Sequence, residues 1–384
     1  MELEENKKEK YGQPPYFAQY PWLLICHGDA MHRQTYFSVS ENRYYMKSIP
    51  ELKENIIHAY VDEWLVLQNI NSNDCYLWNL ISNEKIELPP LSTKGDISQC
   101  LLSAPPHDPE CLVIFLIENE KENTNEDENK NNNVDKNEDE NENSDGDGNG
   151  DSNEDEDEDE DEEEDSDEDV SSDEDEDEDE DVKLLTFYFC KPGYNTEFHK
   201  QDVQSIIGDS RLGIWTIFQK KIYTLIGMQF ILTYLDVDND SGRITTTPMT
   251  NESPIRLKSY YGYYKDYLIQ SSSNNMLLYV QLMVGGRDFG MPCHLQVIRF
   301  DFTKERWMKA ESIGEIAIFI SLSMGTSTTC STKGTNLKKD SVYFTYGRHL
   351  YVYNWITHSI SLSLPCPHVS KTKNKHMHWL TLNQ

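Results

Sequence analysis

Residues 56–91, IIHAYVDEWLVLQNINSNDCYLWNLISNEKIELPPL, constrain this chain most, because they lay out a small antiparallel sheet whose last hairpin recurs along the sequence. Trp64-Leu65-Val66-Leu67 is a compact apolar run, and Tyr76 to Leu80 alternates apolar with polar. Ser82-Asn83-Glu84 suits a turn, and Ile86 and Leu88 alternate again before Pro89-Pro90 stops the strand. The stretch reads as a β-meander.

The hairpin reappears as YFSVSENRYYMKSIP (36–50), TYLDVDNDSGRITTTP (233–248), VIRFDFTKERWMKAESIG (297–314) and LYVYNWITHSISLSLP (350–365). A further hairpin joins Tyr267–Gln270 to Met276–Val280 across Ser271–Asn275. Helical signals are nearly absent: Glu51–Ile57 is too short for much more than two turns, and no segment sustains apolar positions at i, i+3, i+4 and i+7. The spacing between copies is irregular, which a short-period solenoid forbids and a propeller blade tolerates in its loops. The expected fold is all-β, a kelch-like β-propeller of four-stranded antiparallel sheets. About 300 ordered residues at roughly 40–50 per blade give six or seven blades; a pair of β-sandwiches is the alternative.

Charge is segregated along the chain. The net charge is −34, and residues 118–181 alone hold 38 Asp and Glu against 3 Lys. The remainder is therefore close to neutral. Glu154–Asp165 and Asp173–Asp181 are unbroken acidic runs behind an Asn-rich lead-in without aromatic residues. Such a segment cannot bury enough apolar surface to offset its ordering entropy and is expected to be disordered. Its flanks, Cys111–Ile117 and Val182–Phe189, read as buried strands of one hairpin. Lengthening that loop from about 4 to 64 residues costs about 2.4 kcal/mol, which a large β domain absorbs. The expected organisation is a disordered N-terminus at 1–14, one propeller from 15–117 plus 182–384, and a disordered insert at 118–181.

Eight cysteines (Cys26, Cys75, Cys100, Cys111, Cys190, Cys293, Cys330, Cys366) lie mostly in strand-like runs with no CxxC spacing, as buried thiols do. The first residues, MELEENKKEKYGQPPY, hold no hydrophobic signal region, and the longest uninterrupted apolar run is seven residues. The expectation is an intracellular chain, in cytoplasm or nucleus, without a membrane partner.

Six segments in order carry a resemblance. Pro21-Trp22-Leu23-Leu24, Tyr36-Phe37-Ser38-Val39, and Trp64-Leu65-Val66 with Leu77-Trp78-Asn79-Leu80 and Leu88-Pro89-Pro90-Leu91 come first. Arg306-Trp307 with Glu311-Ser312-Ile313-Gly314 and Ala317-Ile318-Phe319 follows, then Ser341–Thr345 and His378-Trp379-Leu380. Together they resemble the plant KIB-type β-propeller domain, the domain of unknown function numbered 295, common in plant F-box proteins. The resemblance implies a propeller of the kind that forms the substrate-recognition part of those proteins. The chain departs from the family pattern in two places. No F-box fits before the first strand near Pro21, which puts docking to a ubiquitin-ligase adaptor by that route in doubt. Asp62-Glu63 stands where the family carries a small residue and Gly; if that Gly serves a positive-φ turn, the turn here must differ.

Chemical motifs are weak. Asp236–Gly242 lacks the Gly and Glu positions of a calcium loop and reads as a hairpin turn. Cys366-Pro367-His368 with His376-Met377-His378 offers thiolate and imidazole groups, but the spacing matches no zinc module. Asp288-Phe289-Gly290 stands without the other kinase motifs. No catalytic, cofactor-binding or metal residue is assigned and no cofactor is expected. Ser166, Ser171 and Ser172 each precede an acidic residue by three positions in a dense acidic field, and are phosphorylation candidates for an acidophilic kinase. The expected role is a non-enzymatic scaffold for a protein partner, with a ubiquitin-ligase link as one route. The alternative is an acidic-tract protein that binds basic partners such as histones or ribosomal proteins. Nucleic acid is disfavoured, because the tract repels phosphate and the remainder shows no basic stripe.

Overall fold

The structure is a computed structural model describing residues 21–91, 93, 95–119, 184–207, 212–238, 241–254, 263–271, 275–284, 292–322, 325–346, 349–363 and 375–380. Its strands form six sheets. β1 (Trp22–His27), β2 (Arg33–Ser38) and β3 (Arg43–Lys47) belong to the first, and β4 (Asn55–Val61), β5 (Trp64–Asn69), β6 (Cys75–Asn79) and β7 (Lys85–Glu87) make the second. The third holds β8 (Asp96–Leu102), β9 (Val113–Asn119), β10 (Leu184–Cys190) and β11 (His199–Asp202). The fourth holds β12 (Leu212–Phe218), β13 (Lys221–Ile226), β14 (Ile231–Asp238) and β15 (Arg243–Pro248). The fifth holds β16 (Tyr263–Ser271), β17 (Met276–Val284), β18 (Pro292–Asp301) and β19 (Arg306–Lys309). The sixth holds β20 (Ile316–Ser321), β21 (Ser327–Ser331), β22 (Ser341–Tyr346), β23 (His349–Asn354) and β24 (Ser359–Ser363). β25 (Lys375–Leu380) then pairs with β1, from Trp22↔Leu380 to His27↔Lys375, so the last strand completes the first sheet. This is a six-bladed β-propeller.

The sequence pattern explains the packing. Trp64 and Val66 contribute to the apolar cluster between the second and third blades, and Leu65 and Leu67 to the one between the first and second. The run is continuously apolar because a strand in the middle of a blade is buried on both sides, and alternate residues serve opposite neighbours. Six such clusters occupy the six seams of the ring.

Strand alternation fixes two faces. The β4–β5 and β6–β7 turns lie on one, the hairpin face; the β5–β6 turn and the connections between blades lie on the other, the crossover face. Contacts between neighbouring blades, such as Lys220 with Asp108 at 3.1 Å and Gln219 with Asn275 at 2.9 Å, tie the hairpin-face turns together. β9 ends and β10 begins at the crossover face, paired from Leu184↔Asn119 to Cys190↔Val113. The acidic insert, apart from Glu118 and Asn119, lies outside the described residues; those two are the last residues of β9 rather than the start of the insert.

Three expectations are corrected. Glu51–Ile57 is a short 3-10 turn at Pro50–Leu52 that runs into β4 after Glu54, whose φ of 59° ends the turn. Asp62 adopts φ 52°, so the β4–β5 hairpin keeps a left-handed turn residue without glycine. The sixth blade has five strands in the order β21-β20-β22-β23-β24, with β20 and β22 parallel. β20 takes the second position from the centre, β21 returns to fill the inner position, and the chain crosses over 332–340 to lay β22 along the other side of β20. A strand arriving by such a crossover runs parallel to β20.

Asp340 secures that crossover. Its Oδ1 accepts hydrogen bonds from Ser312 Oγ (2.6 Å), Ile313 N (2.9 Å) and Gly314 N (3.0 Å), while its carbonyl accepts from Trp355 N (2.8 Å). The residue is 4% exposed. Asp340→Ala strands the Ile313 N–H and the Ser312 hydroxyl, while Gly314 N–H keeps its bond to Ser312 Oγ at 2.9 Å, and is expected to lower unfolding free energy by about 3 kcal/mol. Asp340→Asn keeps an acceptor and is expected to lower it by less. Urea unfolding of both variants checks this; equal losses would assign the effect to the carboxylate charge rather than to its hydrogen bonds.

Membrane crossing by helix finds no support: among the described residues, no helix is long and apolar enough to span a bilayer.

A candidate binding channel

β4, β8, β12, β16 and β21 are the inner strands of five adjacent blades and wall a central cavity of about 680 Å³. Three of them are irregular. The registers of β4, β8 and β12 shift between Ile57 and Ala59, between Ile97 and Gln99, and between Leu212 and Trp215. A bulge adds an unpaired residue and re-aims its side chain. His58, Ser98 and Ile214 fall in these shifts and all line the channel. In the β12 irregularity, a Cβ at Gly213 would stand 2.6 Å from the Leu225 carbonyl oxygen, so only glycine allows that approach.

The wall mixes apolar and hydrogen-bonding groups. Ile56, Ile97 and Ile214 lie toward the crossover mouth, and Ser98, Gln99, Thr216, Ser327 and Thr328 contribute polar groups. Lys265 is its one cationic side chain among the described residues, with Nζ donating to the Leu322 carbonyl at 2.7 Å; partial burial pushes its pKa down. Asp266, its neighbour along the strand, accepts from Tyr279 OH at 2.6 Å and Gln281 Nε2 at 3.1 Å. Burial raises the pKa of the Tyr60 phenol.

Imidazoles gather at one side. His58 Nε2 lies 2.7 Å from Gln68 Oε1, and its ring meets Phe115 edge-on. His376 and His378 stand on β25, where alternate residues Met377 and Trp379 serve the seam with the sixth blade. Burial lowers the pKa of all three histidines; charge on His376 further disfavours charge on His58 and His378, and charge on His58 disfavours it on His378. His378 is pushed down to about 3.

His58 is engaged with an amide. Cys100 in the wall, with Cys75, Cys111 and Cys190 in the adjoining seam, is held as a thiol because burial raises each pKa, to about 12 for the latter three. Among the described residues no three His, Cys, Asp or Glu side chains converge to hold a metal. Cys366 and His368 lie outside the described residues, as do Arg287–Gly290 and the phosphorylation candidates Ser166, Ser171 and Ser172. Within the Asp236–Gly242 stretch, Asp236–Asp238 end β14 and Ser241 Oγ donates to Asp238 Oδ2 at 2.6 Å, while Asn239 and Asp240 lie outside the described residues.

None of the channel residues was identified from sequence as a site. The bulges leave no sequence mark, whereas Lys265-Asp266 inside the aromatic run Tyr263-Tyr264-Lys265-Asp266-Tyr267 was a readable signal: a charge pair set between tyrosines of one strand.

His378 yields a pH dependence. A histidine buried neutral has a folded pKa below its unfolded value, so its contribution is complete above about 6.5 and is lost as pH falls toward 3. The expected loss from this residue between pH 7 and pH 5 is about 2 kcal/mol. Unfolding free energies across that range, compared with those of His378→Gln, check this. A variant profile as steep as that of the parent would place the dependence elsewhere.

The profile of the KIB1-4 β-propeller family matches residues 36–128 and 170–355. No curated protein matches the chain.

Proposed function

From its membership of the KIB1-4 β-propeller family, to which this chain belongs, we propose that the protein is a non-catalytic recognition module that holds a segment of a partner protein at the mouth of its channel. The observation that carries this reading is the channel wall itself: a cavity of about 680 Å³ bounded by five blades, with hydroxyl and amide groups, apolar flanks and a single described amine at the crossover mouth. That volume lies within the range of specific ligand pockets. Its mixed wall suits a peptide segment, whose backbone needs donors and acceptors and whose side chains need apolar contact. A link to ubiquitin ligation belongs to the same proposal, as does modification of Ser166, Ser171 and Ser172, which would add about −1.5 to −2 charge each.

Charge segregation supports a second reading, in which residues 118–181 bind basic proteins and the propeller carries them. The two differ in salt response, because exposed charges are screened over about 8 Å at 0.15 M while a packed interface is screened less.

Affinity purification with mass spectrometry separates them, using the full chain, a chain with residues 121–182 replaced by a short Gly-Ser loop, and Lys265→Met. If the channel recognises partners, the loop replacement retains them at physiological salt and Lys265→Met reduces recovery about fivefold or more, with unfolding midpoint unchanged. Partners that disappear with the insert and are predominantly basic would establish the second reading. Recovery of no specific protein by any of the three would overturn both.

A further inference from the structure

Every blade ends in an outer strand whose far edge pairs with no described strand. Such an edge offers backbone N–H and C=O groups to any extended chain, and charged side chains or proline are the common protection. Five edges are protected in this way. β3 carries Arg43 and Lys47, β7 Lys85 and Glu87, β11 Lys200 and Asp202, β15 Arg243 and Pro248, and β19 Arg306 and Lys309. β24 reads SISLS and carries neither charge nor proline.

β24 is unusual in two further respects. It edges the five-stranded blade, so it stands one strand farther out than a four-stranded blade would place it. It also shows apolar surface: Leu362 is 58% exposed, and Ile356 in the preceding turn is 63% exposed. Pairing sets Ile360 opposite Tyr353 and Leu362 opposite Tyr351. Tyr351, Tyr353 and Ile360 pack into the seam between the fifth and sixth blades. Leu362 thus continues an apolar row that begins in the core and stops, uncovered, at the sheet edge.

We infer that β24 is the pairing edge of a symmetric dimer in which the occupant is β24 of a second copy of this chain. The pattern is complementary to itself. Laid antiparallel about a two-fold axis at Ser361, the two strands place Ser361 opposite Ser361, Ile360 opposite Leu362 and Ser359 opposite Ser363. Apolar residues then meet on one side of the joined sheet and serines on the other, which is the cross-strand arrangement that stabilises a sheet. The contact is isologous and closes on itself, so it yields a dimer rather than a fibre. The same operation on β19 would set Arg306 opposite Lys309, and on β3 Arg43 opposite Lys47, two like-charge pairs each. Because β24 lies at the perimeter, the dimer leaves both channels open and presents them as a bivalent unit.

Sedimentation equilibrium on the full chain, over a hundredfold range of concentration, tests this. The expected result is reversible association to twice the 44.7 kDa chain mass. Leu362→Lys is expected to weaken it at least tenfold with an unchanged circular dichroism spectrum and unfolding midpoint, since Leu362 is exposed. Met228→Lys, which adds the same charge at a residue 87% exposed on the crossover face, is expected to leave association intact. Amide hydrogen exchange at 359–363 is expected to slow as concentration rises. A monomer at every concentration, a dimer indifferent to Leu362→Lys, or an edge that captures a different extended chain without self-association would each overturn the proposal. All three readouts are independent of whether the channel binds a partner.

Discussion

The structure depends on burial of both faces of every blade. A four-stranded sheet with apolar residues on both sides has no stable exposed state, so each blade needs two neighbours and the row of blades must close into a ring. Closure falls to β25, which adds to β1 through six residue pairs. Two further bonds join β25 to the sixth blade: Trp379 Nε1 to the Ile320 carbonyl at 3.0 Å, and Ser321 Oγ to the Met377 carbonyl at 2.5 Å. Trp379 sets its indole at a tilt of 58° against the Phe319 ring, centroids 4.8 Å apart, within the same seam. The last strand therefore completes one sheet and one seam at once, and the two ends of the fold are mutually dependent. His378 sits on that strand, which places a proton-sensitive group at the closure itself.

The sixth blade shows how the ring tolerates a change of chain path. The seam needs an apolar surface of the right height, and the order in which strands arrive is secondary. β20 supplies Ala317 and Phe319 to one neighbour and Ile316, Ile318 and Ile320 to the other, as a second strand of any blade does. The inner strand β21 is short of large apolar residues, because it faces the channel. The added strand shifts β23 and β24 outward, and the outermost residues pass beyond the reach of the neighbouring blade. Leu362 is exposed for that reason.

Much of the fold was legible in the sequence, because blade interiors impose simple patterns. Trp64-Leu65-Val66-Leu67 announced a strand buried on both sides, and the 233–248 and 350–365 hairpins fell within two residues of β14–β15 and β23–β24. The turn at Asp62 was misjudged because aspartate tolerates the left-handed region without needing glycine. The parallel pair in the sixth blade was hidden, since a crossover of nine residues resembles any loop. The channel was less accessible still. Its wall is shaped by bulges at Ile57–Ala59, Ile97–Gln99 and Leu212–Trp215, where register shifts with no local composition change, so periodicity gives no sign of which side chains face the channel.

The acidic segment follows from the same mechanics. It interrupts the chain between β9 and β10, the second and third strands of the third blade, where both flanks are among the most buried in the molecule. Seven residue pairs, from Leu184↔Asn119 to Cys190↔Val113, hold the two flanks together. Phe115, Ile117, Phe187 and Phe189 anchor them in the seams on both sides. The hairpin register is thus set by packing and not by turn geometry, which removes the usual limit on loop length. An insertion at a five-residue outer hairpin loop such as β6–β7, which has three residue pairs, would meet no such resistance to slippage. A segment carrying 38 acidic residues is therefore compatible with the propeller because it enters at one of the ladders best able to keep its register.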